Sequence, residues 1–512
     1  MESVKNVSDL FFACAEKFPE RTAIIDRDDS RMSFAELADA VNATAAYYRS
    51  KGIEKNDRVL VFVPMGIPLY RSILAIFRIG AVAVFLDEWV SKERLELCCR
   101  LAKCKAFIAP LKIRTLALLS KELRKIPVWL GPGIQRTQQQ SGTPPATFAD
   151  DTALITFTTG STGIPKAADR THGFLAAQFS ALVDKIRPQE TDIDMPVLPI
   201  VLLLNLGTGV TSVIAAFNPR KPATMDATKI WSQIAAHKVN RLTASPFVVE
   251  QLALSSFAPK IPMRCFTGGA PVFPSQAIVM KKGLPGSSVE IVYGSTEAEP
   301  ISSISADELI AQKDRLQKGL AAGKPYHGTQ VLILPVKDEA ISAASEEALH
   351  NLSLPAESVG EITVSGDHVL KLYIDNPEAV KRNKINTGEQ VWHRTGDAGF
   401  IDKDGALHLC GRCSSLIYDE SGQLLAPFLW EGWLLSLANV AMGTILRFRN
   451  KNIAVIETKD PGQKKNIREK ILGRYPFDEV YFVKRIPRDP RHFSKIDYGK
   501  LSEMLGKNEF SE

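Results

Sequence analysis

Residues 154–172 read LITFTTGSTGIPKAADRTH, and the remainder of the chain can be arranged around them. An apolar run at 153–157 breaks into Thr158, Thr159, Gly160, Ser161, Thr162 and Gly163, with Pro165 and Lys166 close behind. Glycines let a backbone fold tightly and bring its N–H groups close to a ligand. Clustered hydroxyls and a lysine on a flexible stem add donors and a mobile positive charge. The stretch suits a polyphosphate that is held and then released; by composition alone it would serve equally as a solvated hairpin turn. A P-loop of the form G-x-x-x-x-G-K-[ST] is disfavoured. Lys166 follows a proline, and Ala167 stands where a magnesium-binding hydroxyl belongs.

Outward from this loop the pattern is one of alternating strands and helices. Apolar runs at 58–63 (RVLVFV) and 81–86 (AVAVFL) flank a helix-length segment at 67–80, and Ser33 with Glu36 forms a capping box. Further strand-like runs follow at 239–245, 264–268 and 289–293. Such alternation predicts βαβ units around parallel sheets. Near residue 323 the texture shifts to short, Gly/Asp-punctuated runs, which predict antiparallel hairpins. Beyond Arg412, NIAVIETK, QKKNIREKILGRY and DEVYFVKRIP predict a small unit of its own, while the polar stretch 133–151 reads as a connector. The expected fold is therefore α/β plus β. A large N-terminal domain of parallel α/β sheets with a small β-barrel-like part (1–410) precedes a small mobile α+β domain (411–512).

A chain of 512 residues is too long for one core and suggests two or three domains. Apolar residues at 45% and charged residues at 23% are ordinary for a soluble protein. The net charge of +6 is mild and its lysines and arginines are scattered, which argues against nucleic acid as a partner. Seven scattered cysteines and a start without a secretory pattern point to a reducing cytoplasm. Cys410 and Cys413 form a C-x-x-C with no second pair at zinc spacing, and chance is the better account. Residues 195–218 carry no charge over a bilayer's length, but Pro196, Pro199, Asn205, Gly207 and Gly209 interrupt them. They read as buried strand, loop and helix, so no transmembrane segment is expected.

The TTGSTGIPK core resembles the phosphate-binding loop of the adenylate-forming superfamily, which includes acyl-CoA synthetases, luciferases and the adenylation domains of peptide synthetases. Companion motifs follow in that superfamily's order. Gly268, Gly269 and Ala270 resemble its adenine-pocket strand end. Tyr293-Gly294-Ser295-Thr296-Glu297 resembles its Y-G-[ST]-T-E motif. There the ring stacks on adenine, the threonine meets the α-phosphate and the glutamate holds Mg²⁺. Gly360-Glu361 and Asn376-Pro377 resemble the segments between these motifs. Thr395-Gly396-Asp397 resembles the ribose-binding motif, and Gly411-Arg412 the pair before the domain hinge. The hinge usually carries Asp or Lys, and here it is Ser414. Lys495, in SKID, resembles the late catalytic lysine, with Ser494 in place of glycine.

The resemblance implies ATP-dependent activation of a carboxylic acid of fatty-acyl type to an acyl-adenylate with release of pyrophosphate. Catalysis would rest on Lys495, Thr296 and Glu297. The implied cofactors are ATP and Mg²⁺, with coenzyme A or a carrier thiol as acyl acceptor, and the implied partners are an acyl-carrier protein or enzymes of the same pathway. Within the superfamily, the segments at 198–226 and 489–496 look closest to the olefin-pathway β-lactone synthetases. In that branch the substrate's β-hydroxyl closes on its own activated carbonyl. A nucleotide- or acyl-binding pseudo-enzyme is the non-enzymatic alternative, and the retained Lys495, Glu297 and Asp397 count against it. Apolar residues 201–204 and Val210 are candidates to line an acyl pocket.

Overall fold

The computed structural model describes residues 4–86, 92–133, 145–159, 165–218, 221–257, 259, 261–313, 319–489, 495–507 and 510. Two largely parallel sheets organise the N-terminal part. The six-stranded one runs Val128–Leu130, Ala106–Ile108, Arg58–Val61, Val82–Phe85, Thr152–Thr159 and Pro165–Thr171, with only the last strand antiparallel. The eight-stranded one is parallel through its centre and antiparallel at both edges, Ala298–Ser305 and Arg31–Ser33. Helix Phe34–Ser50 starts at the expected capping box: Ser33 Oγ accepts from the Glu36 N–H and Glu36 Oε2 from the Ser33 N–H.

Helix Ile67–Arg78 is apolar almost all round, which suits burial on every side. Tyr70, Ile73, Leu74 and Phe77 share one core with Ala23 and Ile24 of one sheet and Val59, Ala83 and Ala106 of the other. The helix thus fills the space between the two sheets. The uncharged segment 195–218 folds as strand Ile193–Pro196, helix Pro199–Leu206 and strand Thr211–Val213, so the order expected beyond the first strand is reversed. Pro199 is tolerated at the first turn of this helix, where no N–H partner is lost. Among the described residues no helix is long and apolar enough to cross a membrane.

Downstream, strands Leu320–Gly323, Leu407–Arg412, Val391–Ile401, Gly360–Ser365 and Gln330–Leu334 form an antiparallel sheet, with Lys384–Asn386 added alongside Val391–Ile401. It stays open among the described residues, where the expectation was a barrel-like part. Strand Leu407–Arg412 pairs Arg412 with Asp397, and so carries two residues past 410 into this sheet. The C-terminal unit packs helices Pro427–Ser436 and Lys464–Arg474 on a sheet of Val440–Phe448, Lys451–Thr458 and Glu479–Val483, over a core including Trp430, Ile456 and Phe482.

Candidate active site

The opening loop is the connection of a hairpin. Strand Thr152–Thr159 pairs antiparallel with Pro165–Thr171, in register from Thr158 with Lys166 and Thr159 with Pro165. Thr158 and Thr159 end the first strand; Gly160, Ser161, Thr162 and Gly163 lie outside the described residues. Lys166 therefore sits at the hairpin mouth, facing a cleft of about 1440 Å³. Its ammonium donates to Asn383 Oδ1 at 2.9 Å and lies 5.4 Å from the centre of the Tyr373 ring. Burial pulls its pKa below the usual lysine value, with Arg382 and Arg412 adding to the effect and Glu297 opposing it.

Glu297 follows strand Ser288–Ser295 in the tight turn to Ala298–Ser305. Its carbonyl accepts from the Leu370 N–H at 2.7 Å, and its Oε1 from the Tyr373 hydroxyl at 3.2 Å. The carboxylate thus lies near both Tyr373 and Lys166, and carboxylate oxygens are the kind of ligand a divalent cation takes. Burial, reinforced by this carboxylate, raises the Tyr373 phenol. Behind Tyr373, Lys384 lies 5.3 Å from the same ring and donates to the Leu370 carbonyl; burial brings its pKa down to about 7.

Tyr293 donates its hydroxyl to Asp397 Oδ2 at 2.8 Å, while Arg412 Nη1 reaches Asp397 Oδ1 at 2.7 Å. Asp397 raises the Arg412 pKa. The irregular part of strand Val391–Ile401 that holds Asp397 is fixed by Glu361, which is buried. Glu361 pairs with Arg394 at 2.6 Å and accepts from the Gly396 N–H at 3.1 Å. Gly396 has φ +71°, a conformation that favours glycine. Three motifs far apart in sequence, at 293–297, 361 and 395–412, are therefore one hydrogen-bonded assembly.

Thr296, Gly294, Ser295, Gly269 and Ala270 line the same cleft. Gly268 does not: it is pressed against the neighbouring strand, where a Cβ would stand 2.6 Å from the Val292 carbonyl oxygen. Its missing side chain serves strand packing rather than a bound base. Lys495 lines the cleft from the C-terminal unit, its backbone clasped by Asp489 through two hydrogen bonds of 2.8 and 3.2 Å. The sequence reading overlooked Tyr373, Arg382 and Asn383. All three flank the Asn376-Pro377 segment, but in isolation they look like ordinary loop and helix residues. Of the apolar candidates, Leu203 lines the cleft, joined by Leu198, Phe217 and Phe247; Leu202 and Val210 are fully buried core. Cys410 is buried in its strand and its thiol is pushed up to about 12, so it is not a ready thiolate at neutral pH.

The site can hold a polyanion at the cations Lys166, Arg382, Arg412 and Lys495, a divalent cation at Glu297, and a neighbouring apolar group. Residues 11–374 match the family model for AMP-binding enzymes. An olefin β-lactone synthetase of Xanthomonas campestris pv. campestris is 31% identical over 419 residues, covering 77% of this chain and 74% of that relative. A long-chain-fatty-acid–CoA ligase of Mycobacterium tuberculosis is 25% identical, covering 99% of each. The fold is shared with the O-succinylbenzoate coenzyme A synthetase of Bacillus subtilis, solved with ATP and magnesium, at TM-score 0.79 and 21% identity over 96% of this chain and 98% of that one. The chain belongs to the AMP-binding enzyme family and is an adenylating enzyme of the AMP-forming acid-ligase kind.

Proposed function

We propose that the protein uses ATP and Mg²⁺ to adenylate an aliphatic β-hydroxy acid, whose own hydroxyl then closes on the activated carbonyl to give a β-lactone. The observation that carries the first step is the convergence of Lys166, Arg382, Arg412 and Lys495 with Glu297 and Asp397 on one cleft. The cleft exceeds the roughly 300–1,000 Å³ of a single-ligand pocket, and so has room for nucleotide and acid together. The similarity to an olefin β-lactone synthetase supports the second step.

In this reading, Tyr293, Gly269 and Ala270 flank adenine, and Asp397 with Arg412 holds the ribose. Lys166 and the 158–163 loop hold the β- and γ-phosphates. Thr296 reaches the α-phosphate, and Glu297 would hold Mg²⁺, which neutralises charge on the phosphates when bound. A substrate carboxylate oxygen attacks the α-phosphorus and pyrophosphate leaves. Lys495 bridges carboxylate and phosphate, stabilising charge as it develops. The β-hydroxyl oxygen then attacks the acyl carbon, AMP leaves, and the hydroxyl proton passes to solvent. The nucleophile is tethered, so it acts at high effective concentration without a thiol.

Transfer to coenzyme A or a carrier thiol is the second reading, favoured by end-to-end similarity to a long-chain-fatty-acid–CoA ligase. The small domain, taken as 411–512, would have to rotate at Ser414 for it. ATP–pyrophosphate exchange over a panel of acids tests the first step, and absence of exchange with every acid would overturn the enzymatic reading. Incubation with ATP and a long-chain β-hydroxy acid, without coenzyme A, tests the second. The expected products are AMP and a β-lactone; AMP without lactone, or thioester formed only when coenzyme A is added, favours the ligase.

A further inference from the structure

A surface patch outside the cleft lining carries an apolar and a cationic signature together. Helix Leu111–Ala117 is continued by hydrogen bonds from Leu118, Leu119 and Ser120 back to Thr115, Leu116 and Ala117. Ile113, Ala117 and Leu123 point inward, against Phe107 and Trp129 of the six-stranded sheet. The outward arc holds four large leucines: Leu111, Leu116, Leu118 and Leu119 are 68%, 60%, 55% and 73% exposed. At 100° per residue these four fall within about 160° of one side of the helix, with the exposed Lys112 and Thr115 set between them.

Charge selects the partner. Residues 111–125, LKIRTLALLSKELRK, contain Lys112, Arg114, Lys121, Arg124 and Lys125 against the single acid Glu122. Glu122 is already engaged, at 2.9 Å from Lys125 and 3.8 Å from Arg100. The neighbouring Glu96 is turned inward, accepting from Ser120 Oγ and the Lys121 N–H. Exposed leucines ringed by lysine and arginine match an anionic bilayer, where the side chains enter the acyl boundary and the cations meet phosphates. A second copy docking by a two-fold axis would set five cations against five, which disfavours self-association.

Position adds a reason for such a contact. Strands Arg58–Val61, Val82–Phe85 and Ala106–Ile108 are parallel and leave the sheet at one edge, with Val61 paired to Ile108. Val61, Phe62 and Phe85 line the cleft at that edge, and the leucine helix begins three residues after Ile108. The geometry points to the 111–125 segment as a membrane-docking surface that seats the enzyme on anionic phospholipid with the cleft near the lipid boundary. Delivery of an aliphatic acid by this route rests on the proposed function; bilayer binding does not.

Sedimentation of the full chain with vesicles tests it. We expect binding to vesicles of about three parts phosphatidylcholine to one part phosphatidylglycerol, at least about tenfold stronger than to phosphatidylcholine alone and weakened by salt. The double variant Leu118→Ser/Leu119→Ser should lose about tenfold or more of that binding. Lys121→Gln/Arg124→Gln should lose the preference for anionic lipid. Both variants should keep the native thermal midpoint and ATP–pyrophosphate exchange with a water-soluble acid, since none of these residues touches the nucleotide site. Equal vesicle binding by wild type and the leucine variant would overturn the proposal. So would absence of binding to anionic vesicles, or a dimer in sedimentation equilibrium that the leucine variant abolishes.

Discussion

Among the described residues, Lys495 lines the cleft from the C-terminal unit together with Lys459, Arg488 and Lys500, and its backbone is fixed by Asp489. Removing a single preorganised charge donor costs on the order of 10²–10³ in rate. Lys495→Ala should therefore abolish most ATP–pyrophosphate exchange while ATP affinity, measured by calorimetry, changes only a few-fold. Exchange at the native rate would mean that Lys500 or another cation does this work. A second residue-scale test concerns Glu431, buried in helix Pro427–Ser436, whose Oε1 accepts from Thr444 at 2.8 Å and Tyr498 at 2.5 Å. Burial pushes its carboxyl up to about 7, from an ordinary value of 4.5. Between these pH values the unfolded chain has shed a proton that the fold retains, so stability falls as pH rises through the window. The cost at pH 8 is on the order of 3 kcal/mol. Glu431→Gln keeps an acceptor and cannot ionise. Denaturant melts should show its stability relative to wild type improving between pH 5 and pH 8, and parallel curves at both pH values would refute the account.

At the scale of elements, strand Leu320–Gly323 joins the antiparallel sheet to the edge of the eight-stranded one. Ser302 Oγ donates to the Ala322 carbonyl at 2.8 Å, and Gly323 turns away at φ +78° against the Ser303 carbonyl oxygen. A Cβ there meets that oxygen in a left-handed conformation, and Gly323→Ala should cost about 3 kcal/mol, read as a lowered thermal midpoint. A native midpoint would show that the strand can shift away. The parallel strands and the Ser33 capping box were legible because their signals are local: apolar runs of strand length, and a side chain reaching three residues. The segment 195–218 departs from the expected order beyond its first strand because a short, largely buried helix and a buried strand look alike in hydropathy. Which form each piece takes is decided by the sheet positions left open.

For the whole molecule, Ser414 lies in the short turn Cys413–Ser415 between strand Leu407–Arg412 and the C-terminal unit. In this arrangement Lys495 already lines the cleft, where the proposed adenylation would use it. Ser414→Pro, by stiffening that turn, should leave ATP–pyrophosphate exchange within about twofold and slow any product whose formation needs domain rotation. Undiminished lactone output would mean that cyclisation occurs without it, and a large loss of exchange would mean that the turn must flex for adenylation too. By itself the sequence determined the α/β class and the order of the motifs from Thr158 to Lys495, because apolar periodicity and the local order of glycines, hydroxyls and charges are written directly in the chain. Only the tertiary structure brought Tyr293, Glu361, Asp397 and Arg412 into one assembly and added Tyr373, Arg382 and Asn383 to it. It alone sent Gly268 to strand packing and left four leucines facing solvent. Those outcomes depend on which strands become neighbours and which faces remain uncovered, and contacts between distant residues leave no local trace in the order of amino acids.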